Sequence, residues 1–308
     1  MKVAIVTGAN GFIGKAMTEF LLKEKFFVYA IVTDENSLAD IKCSNLKVIK
    51  AFFDDYKNLA EQIDKKPDVF FHFAWQGVFG KSFSDYALQY SNVVNTGISF
   101  ELAIKLGVQK FVLASTVNVL EAKDAIIHNR GIRYRNTMNY AMAKLSSEML
   151  CKTLASNSTV LFNTVYLSMA YGPNNRALTV QNVVMSKIAQ GISPDLIKGD
   201  GLYDLIYIDD VVRGFYQVYL YGEKNESYYI GHQNLKTFKE LFVDIGNVID
   251  KKVKLNFGVY PEENSINYSL IDIKKTKDVC KFEPTSNFEE SVKITIKWLK
   301  DNDYLGVK

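Results

Sequence analysis

The sequence predicts an α/β protein: a doubly wound parallel sheet followed by a smaller α+β lobe. Three observations carry this. Six short apolar runs in the first two-thirds of the chain alternate with helical patterns, a glycine-rich turn follows the first run directly, and the texture changes after residue 170. Continuous apolar strands separated by helices imply a parallel sheet covered on both faces.

Taken in order, "KVAIVTG" is the first strand and "GKAMTEFLLKEK" carries a helical pattern behind it. "FFVYAIV" and "NLKVIKAF" are the next two strands, followed by a weaker helix near 54–64. "DVFFHFA", a long helix near 85–106, "KFVLAS", a helix through Tyr140 to about 155, and "STVLFNTVYL" complete the series. Right-handed crossovers then wind the sheet in both directions. After "AYGPNNR", Gly172-Pro173 and Asn174-Asn175 break the pattern. Later strands are short and scattered ("LIYI", "SYYIG", "VKLNF"). Thr237 and Glu240 have capping-box spacing before "LFVDIGNVI", and "SNFEESVKITIKWLK" is a final amphipathic helix. The expected division is 1–170 for the nucleotide-binding sheet and 171–308 for a substrate lobe, with room for one lobe strand to return to the main sheet.

The chain has 308 residues, 48% hydrophobic and 23% charged, with a formal charge of +3. That is an ordinary globular composition, and without a long basic run it gives no reason to expect nucleic acid. Arg130, Arg133 and Arg135 form the densest positive cluster, read as a solvated loop. Cys43, Cys151 and Cys280 are odd in number and far apart, which argues for a reducing compartment and against a disulfide framework or a metal site. "MKVAIVTG" is too short an apolar run for a signal peptide, and no apolar stretch is long enough to span a bilayer. A cytoplasmic protein without a membrane partner is expected.

"VAIVTGANGFIGKAM" places Gly8, Gly11 and Gly14 between a strand and a helix, the context that makes a glycine triplet a dinucleotide signal. Gly8 serves the tight turn, Gly11 the approach of backbone to pyrophosphate, and Gly14 the packing of helix on sheet. "NYAMAK" sets Tyr140 and Lys144 one helical turn apart. That spacing alone means only a shared helix face. A phenol titrates near 10, so Tyr140 needs a neighbouring cation such as Lys144 to exchange protons at neutral pH. Ser115 and Thr116, at the end of "KFVLAST", are the candidate hydroxyls beside it. Asn92 is either part of a proton relay or a helix-interior amide. His72 lies within a buried strand and reads as structural or cofactor-adjacent, while His128 and His232 have no evident partner.

The order of these motifs resembles the extended short-chain dehydrogenase/reductase family, the epimerases, dehydratases and reductases of nucleotide sugars. "TGANGFIG", "HFA" at 72–74, "NVVNT" at 92–96, "LASTVNV", "YAMAK", "YGP" at 171–173 and "GDGLYDLIYIDDV" at 199–211 carry the likeness across nearly the whole chain. It implies a Rossmann sheet, an NAD(P) cofactor, a nucleotide-sugar substrate, and a homodimer formed through the helices near 85–106 and around Tyr140. Apolar residues available for that contact are Ile98, Leu102, Met149 and Leu150. The implied catalytic set is Thr116, Tyr140 and Lys144, with Thr116 chosen over Ser115 by counting back from Val119-Leu120. Cofactor contacts fall on Gly8, Asn10, Gly11, Phe12, Ile13, Gly14, Thr33, Asp34, Ala74, Tyr140 and Lys144. Substrate contacts fall on Trp75, Asn92, Arg176 and Tyr203.

Three departures from the family pattern refine this. Val117-Asn118 follow Thr116 where dehydratases carry Asp-Glu, so a 4,6-dehydratase is not expected. Val32 stands where NAD-specific members place a ribose-binding carboxylate, and neither Thr33 nor Asp34 gives a clean signature. Asp34 would serve NAD, Thr33 and Lys15 would tolerate a 2′-phosphate, and the balance tips slightly to NADP(H). Tyr203, Tyr166 and Met169 replace the usual Arg, Arg and Asn, and an arginine is missing before Asp272–Lys275, leaving Arg176, Lys198 or the 130–135 cluster to hold a diphosphate. The leading expectation is reduction of a 4-keto-6-deoxyhexose, with Tyr140 protonating the oxygen and Thr116 holding it. The alternative is a 4-epimerase with tightly bound NAD. A non-catalytic dinucleotide sensor or scaffold ranks third.

Overall fold

The computed structural model describes residues 1–78, 80–128, 135, 137–261 and 266–304. Six strands follow the apolar runs: β1 (Val3–Thr7), β2 (Phe27–Val32), β3 (Leu46–Lys50), β4 (Val69–His72), β5 (Lys110–Thr116) and β6 (Leu161–Leu167). Beyond them come β7 (Met169–Tyr171), β8 (Asp195–Ile197), β9 (Leu202–Tyr203), β10 (Leu205–Tyr207), β11 (Glu226–Ile230), β12 (Lys236–Thr237) and β13 (Asn256–Tyr260). The helices are α1 (Phe12–Lys23), α2 (Tyr86–Lys105), α3 (Val119–His128), α4 (Met138–Ser156) and α5 (Val180–Ala189), then α6 (Ile208–Tyr221), α7 (Phe238–Ile249), α8 (Lys275–Cys280) and α9 (Phe288–Asp301).

The main sheet has seven strands in the order β11-β6-β5-β4-β1-β2-β3, with every pair parallel. Alternate strand residues serve opposite faces. Ala4 and Val6 join one core with Met17 and Leu21 of α1 and Val211, Phe215 and Val218 of α6. Val3 and Ile5 join a second core with Phe100 and Ala103 of α2 and Cys151 and Ala155 of α4. With both faces covered, period-two side chains must be apolar throughout, which is why the strands read as unbroken runs.

One strand of residues 171–308 returns to the main sheet. After β10 the chain re-enters the nucleotide-binding layer, because α6 packs on the sheet and β11 pairs with β6. Lys110 fixes this return. Its buried ammonium donates to the carbonyls of Val218 (3.3 Å) and Gly222 (2.7 Å) at the end of α6. The short pairs β7–β10, β8–β13 and β9–β12, with α5, α7 and α9, make up much of the remainder of the chain after β6. The capping box at Thr237 and Glu240 forms. The weak helix near 54–64 is a 3₁₀ segment, Phe53–Gln62, and "VKLNF" enters a strand only from Asn256.

α3 has no counterpart in the sequence reading. Its leading residues, Val119 and Leu120, extend the apolar run of β5, so no boundary shows in the pattern. Of the arginine cluster, Arg130 and Arg133 lie outside the described residues. No described helix is long and apolar enough to cross a membrane.

Candidate active site

In a doubly wound sheet, ligands settle at the carboxyl ends of the strands where the order reverses, here between β1 and β4. The chain leaves β1 at Gly8 with φ +65°, and a Cβ there would lie 2.8 Å from the Ala74 nitrogen. Gly14 faces the same turn, and a Cβ on it would lie 2.1 Å from the Gly8 carbonyl oxygen. Gly11 closes the turn by donating to that oxygen at 2.9 Å. α1 has neither a side-chain cap nor an acidic residue in its first turn, so its first N–H groups remain available to an anion.

Beside the turn lies a cavity of about 390 Å³. Gly8, Asn10 and Gly11 form one side, Val32 and Thr33 the end of β2, Phe52, Phe53 and Tyr56 a third wall, and Ala74, Trp75 and Gln76 the far end. Among the described residues, none that lines it carries a charge. A glycine cradle, open helix N–H groups and an apolar slot fit a dinucleotide. The side chains of Phe12 and Ile13 pack half-buried against the core, while their N–H groups belong to the open first turn of α1. Asp34 does not line the cavity. Its carboxylate caps a short 3₁₀ turn, accepting from the Asn36 nitrogen at 3.0 Å. Lys15 is paired with Asp40 at 2.7 Å, and Thr33 accepts from Asn10 Nδ2 at 3.0 Å. Val32 and Thr33, the lining residues at the end of β2, are both uncharged.

The wall opposite α1 is built around His72. Its Nδ1 meets the Thr7 hydroxyl at 2.8 Å and its Nε2 the Thr96 hydroxyl at 3.4 Å. Thr96 donates to the Asn92 carbonyl, so the Nε2–H tautomer satisfies the set. Burial pushes the imidazole down to about 3, with the Lys144 charge opposing protonation further. His72 is therefore neutral and structural. Asn92, expected at a substrate contact or in a relay, holds the loop after β4. Its Oδ1 accepts from the Gln76 nitrogen (2.8 Å), and Nδ2 donates to the carbonyls of Gln76 (3.0 Å) and Leu88 (2.9 Å). With both Nδ2 protons used and 1% exposure, it clamps the loop after β4.

Thr116, Tyr140 and Lys144 come together at the end of β5. α4 starts at Met138, which puts Tyr140 in its first turn and Lys144 one turn deeper. The phenol lies edge-on to Trp75 (6.1 Å between ring centroids) and Phe83 (5.1 Å). Burial pushes it up to about 12, and a hydrogen bond with the Thr116 hydroxyl pulls it back. Thr116 in turn meets Asn118, donating to its Oδ1 at 3.0 Å and accepting from its backbone nitrogen at 3.2 Å. Lys144 Nζ donates to the Ala114 carbonyl at 2.9 Å and sits 3.7 Å from the centre of the Trp75 ring. Burial pushes its ammonium down to about 7. Ser115 Oγ is buried without a partner among the described residues.

The residues expected at the far end of the substrate each have a protein partner. Arg176 is exposed and lies over Trp298 of α9, 5.7 Å from the ring centre. Tyr203 is half-buried and packs edge-on to Phe238 at 5.4 Å. Tyr166 is fully buried, donating to Glu148 Oε2 at 2.5 Å and accepting from Lys123 Nζ at 2.6 Å. Arg135 forms a bidentate pair with buried Glu121, and Lys198 pairs with Asp200. His128 has a partner that the sequence did not reveal, Asp124 at 2.8 Å. Sequence reasoning missed Gln76, Phe83 and Asn118, whose proximity depends on how the β4 and β5 loops fold back. It also missed the aromatic wall at 52–56, for which the apolar residues ending β3 were an available signal.

An open parallel sheet with a glycine turn at its switch point and a Tyr–Lys pair beside it defines an NAD(P)-dependent oxidoreductase. The chain belongs to the NAD dependent epimerase/dehydratase family, whose pattern matches residues 4–231. It is 28% identical to the UDP-glucuronate 4-epimerase of Thermodesulfobacterium geofontis, over 97% of this chain and 96% of that one. Among solved structures, the UDP-glucose 4-epimerase of Thermotoga maritima with UDP-glucose superposes with a TM-score of 0.80 at 21% identity, covering 97% and 99% of the two chains. The Bordetella bronchiseptica enzyme WbmF with NADH gives 0.81 at 17% identity, covering 99% and 93%.

Proposed function

We propose that this enzyme interconverts a secondary alcohol and a ketone on a nucleotide-linked sugar, acting as a 4-epimerase. The observation that carries the chemistry is the meeting of Thr116, Tyr140 and Lys144 beside the glycine turn. A bound dinucleotide supplies the hydride chemistry. Tyr140 takes the proton of the sugar hydroxyl and returns it to the ketone oxygen, while Thr116 orients that oxygen. Lys144 lowers the cost of the phenolate by its charge. The overall likeness to the UDP-glucuronate 4-epimerase supports the epimerase form over the reduction expected from sequence.

Reduction of a 4-keto-6-deoxyhexose with NADPH is the second reading, favoured by the uncharged rim at Thr33. A 2′-phosphate meets no carboxylate there, and NADP(H) is accepted at least as well as NAD(H) on this reading. No acid/base carboxylate follows Thr116, and Glu121 one turn on is tied to Arg135, so dehydration is not proposed. Extraction of the purified protein separates the two readings. Stoichiometric retained NAD with reversible sugar interconversion supports the epimerase. NADPH consumption matched to ketone loss supports the reductase.

The enzyme is further proposed to act in the cytoplasm as a homodimer. Tyr86, Tyr90 and Val94 of α2 and Met149 of α4 are exposed apolar residues, whereas Ile98 and Leu102 pack on the sheet. A Val94→Glu variant should run at half the wild-type mass in light scattering. Unchanged mass would place any contact elsewhere.

A further inference from the structure

The Lys144 ammonium is buried with one carbonyl partner, and among the described residues no carboxylate lies within salt-bridge distance of it. The titratable groups around it are Tyr140 on its own helix and neutral His72 on β4. β5 presents Ala114, Ser115 and Thr116, and the loop after β4 with α2 presents Trp75, Gln89 and Asn92, none of them charged. What faces the ammonium instead is the indole of Trp75, 3.7 Å away. This indole is latched. Its Nε1 donates to Gln89 Oε1 at 2.9 Å, and Gln89, fully buried, donates from Nε2 to the carbonyls of Gly77 (2.6 Å) and Ser82 (2.9 Å). Asn92 pins the next residue, Gln76, by both of its backbone groups. The ring is thus held from the loop side while its face meets Lys144 and Tyr140 packs edge-on to it.

We infer that Trp75 is a positioning residue for Lys144: its π face takes the place of a counter-ion, holding the ammonium charged beside Tyr140. An aromatic face attracts a desolvated cation more strongly than an exposed one, so the contact matters most where water is excluded. Since burial brings the Lys144 ionisation close to neutrality, a modest loss of attraction empties the ammonium at working pH. The importance of that charge for turnover rests on the function proposed above. The contact itself does not, and the first arm of the test needs no turnover.

The chain has two tryptophans, so Trp298→Phe leaves Trp75 as the sole indole emitter. Its emission, followed across neutral pH without cofactor or substrate, should be quenched on the acid side with a single transition. Adding Lys144→Met should abolish that transition. A transition that persists, or none in the parent, overturns the contact. The second arm compares Trp75→Leu with Trp75→Phe. The Leu variant should lose kcat at a pH about one unit lower than wild type, a tenfold change in the ionisation equilibrium. Phe should restore most of that shift. If Leu and Phe variants behave alike, Trp75 is packing and the inference fails.

Discussion

The two ends of the site are built by different means. At the cofactor end, backbone does the work: Gly8 and Gly14 bring a strand, a turn and a helix so close that a Cβ on either would meet main-chain atoms. At the positions expected to meet the far end of a substrate, the side chains present are tied to other side chains. Tyr166 is bound to Glu148, Tyr203 lies on Phe238, Arg135 is paired with Glu121, and Arg176 lies over Trp298. Backbone constraints admit few residue types, so they persist in a recognisable form. Side-chain constraints can be met by many pairings, so this end can change chemistry while the fold stays.

Substitutions sharpen that contrast. The largest effect is expected for Tyr140→Phe. Turnover should fall about 100- to 10,000-fold, the range for losing a positioned acid/base group, with little change in cofactor Kd by titration. A variant that keeps wild-type kcat would remove Tyr140 from the reaction. Gly14→Ala comes next. Its methyl must displace the Gly8 carbonyl, costing about 1–3 kcal/mol as overpacking does, and melting and cofactor titration should both report the loss. Intact affinity would show that the cradle is less rigid than its geometry requires.

Thr33→Asp tests the uncharged rim. A carboxylate there should weaken NADP⁺ binding relative to NAD⁺ by about tenfold, about 1.4 kcal/mol of differential interaction, read from paired dissociation constants. Lys144→Met gives a smaller effect with a definite sign. Because burial lowers Lys144 from 10.5 to about 7, the unfolded chain binds more protons between those values, and wild-type stability rises with pH across that window. The Met variant, which has no ammonium to bury, should therefore gain more Tm relative to wild type near pH 6 than near pH 9. The smallest effect is expected at the far end. Arg176→Ala removes an exposed stacking contact of about 0.5–1 kcal/mol and should leave kcat close to wild type.

The same contrast governs how far the sequence could be read. The strands, the glycine turn and the Tyr140–Lys144 spacing are local, so periodicity and spacing reveal them. Tyr140 stands beside Thr116 because α4 packs against the end of β5, a long-range fact that here only an ordered set of motifs could suggest. Asn92 shows the limit. Its identity fits a relay as well as a clamp, and only the position of the Gln76 backbone decides between them. The strand that returns to the main sheet could be allowed for but not picked out, for a related reason. A strand such as β11 looks the same in sequence whether it pairs with a neighbour in the lobe or crosses back to β6.

That crossing has a consequence for biosynthesis. As the chain emerges from the ribosome, six strands of the sheet are available once residue 167 has passed, but β6 remains an open edge until residue 230 follows. The Lys110 ammonium, whose α6 carbonyls lie 108 and 112 residues downstream, waits just as long for its partners. A nascent chain stalled in that interval presents an unpaired parallel edge and a bare apolar face, the surface that holdase chaperones cover and that aggregation exploits.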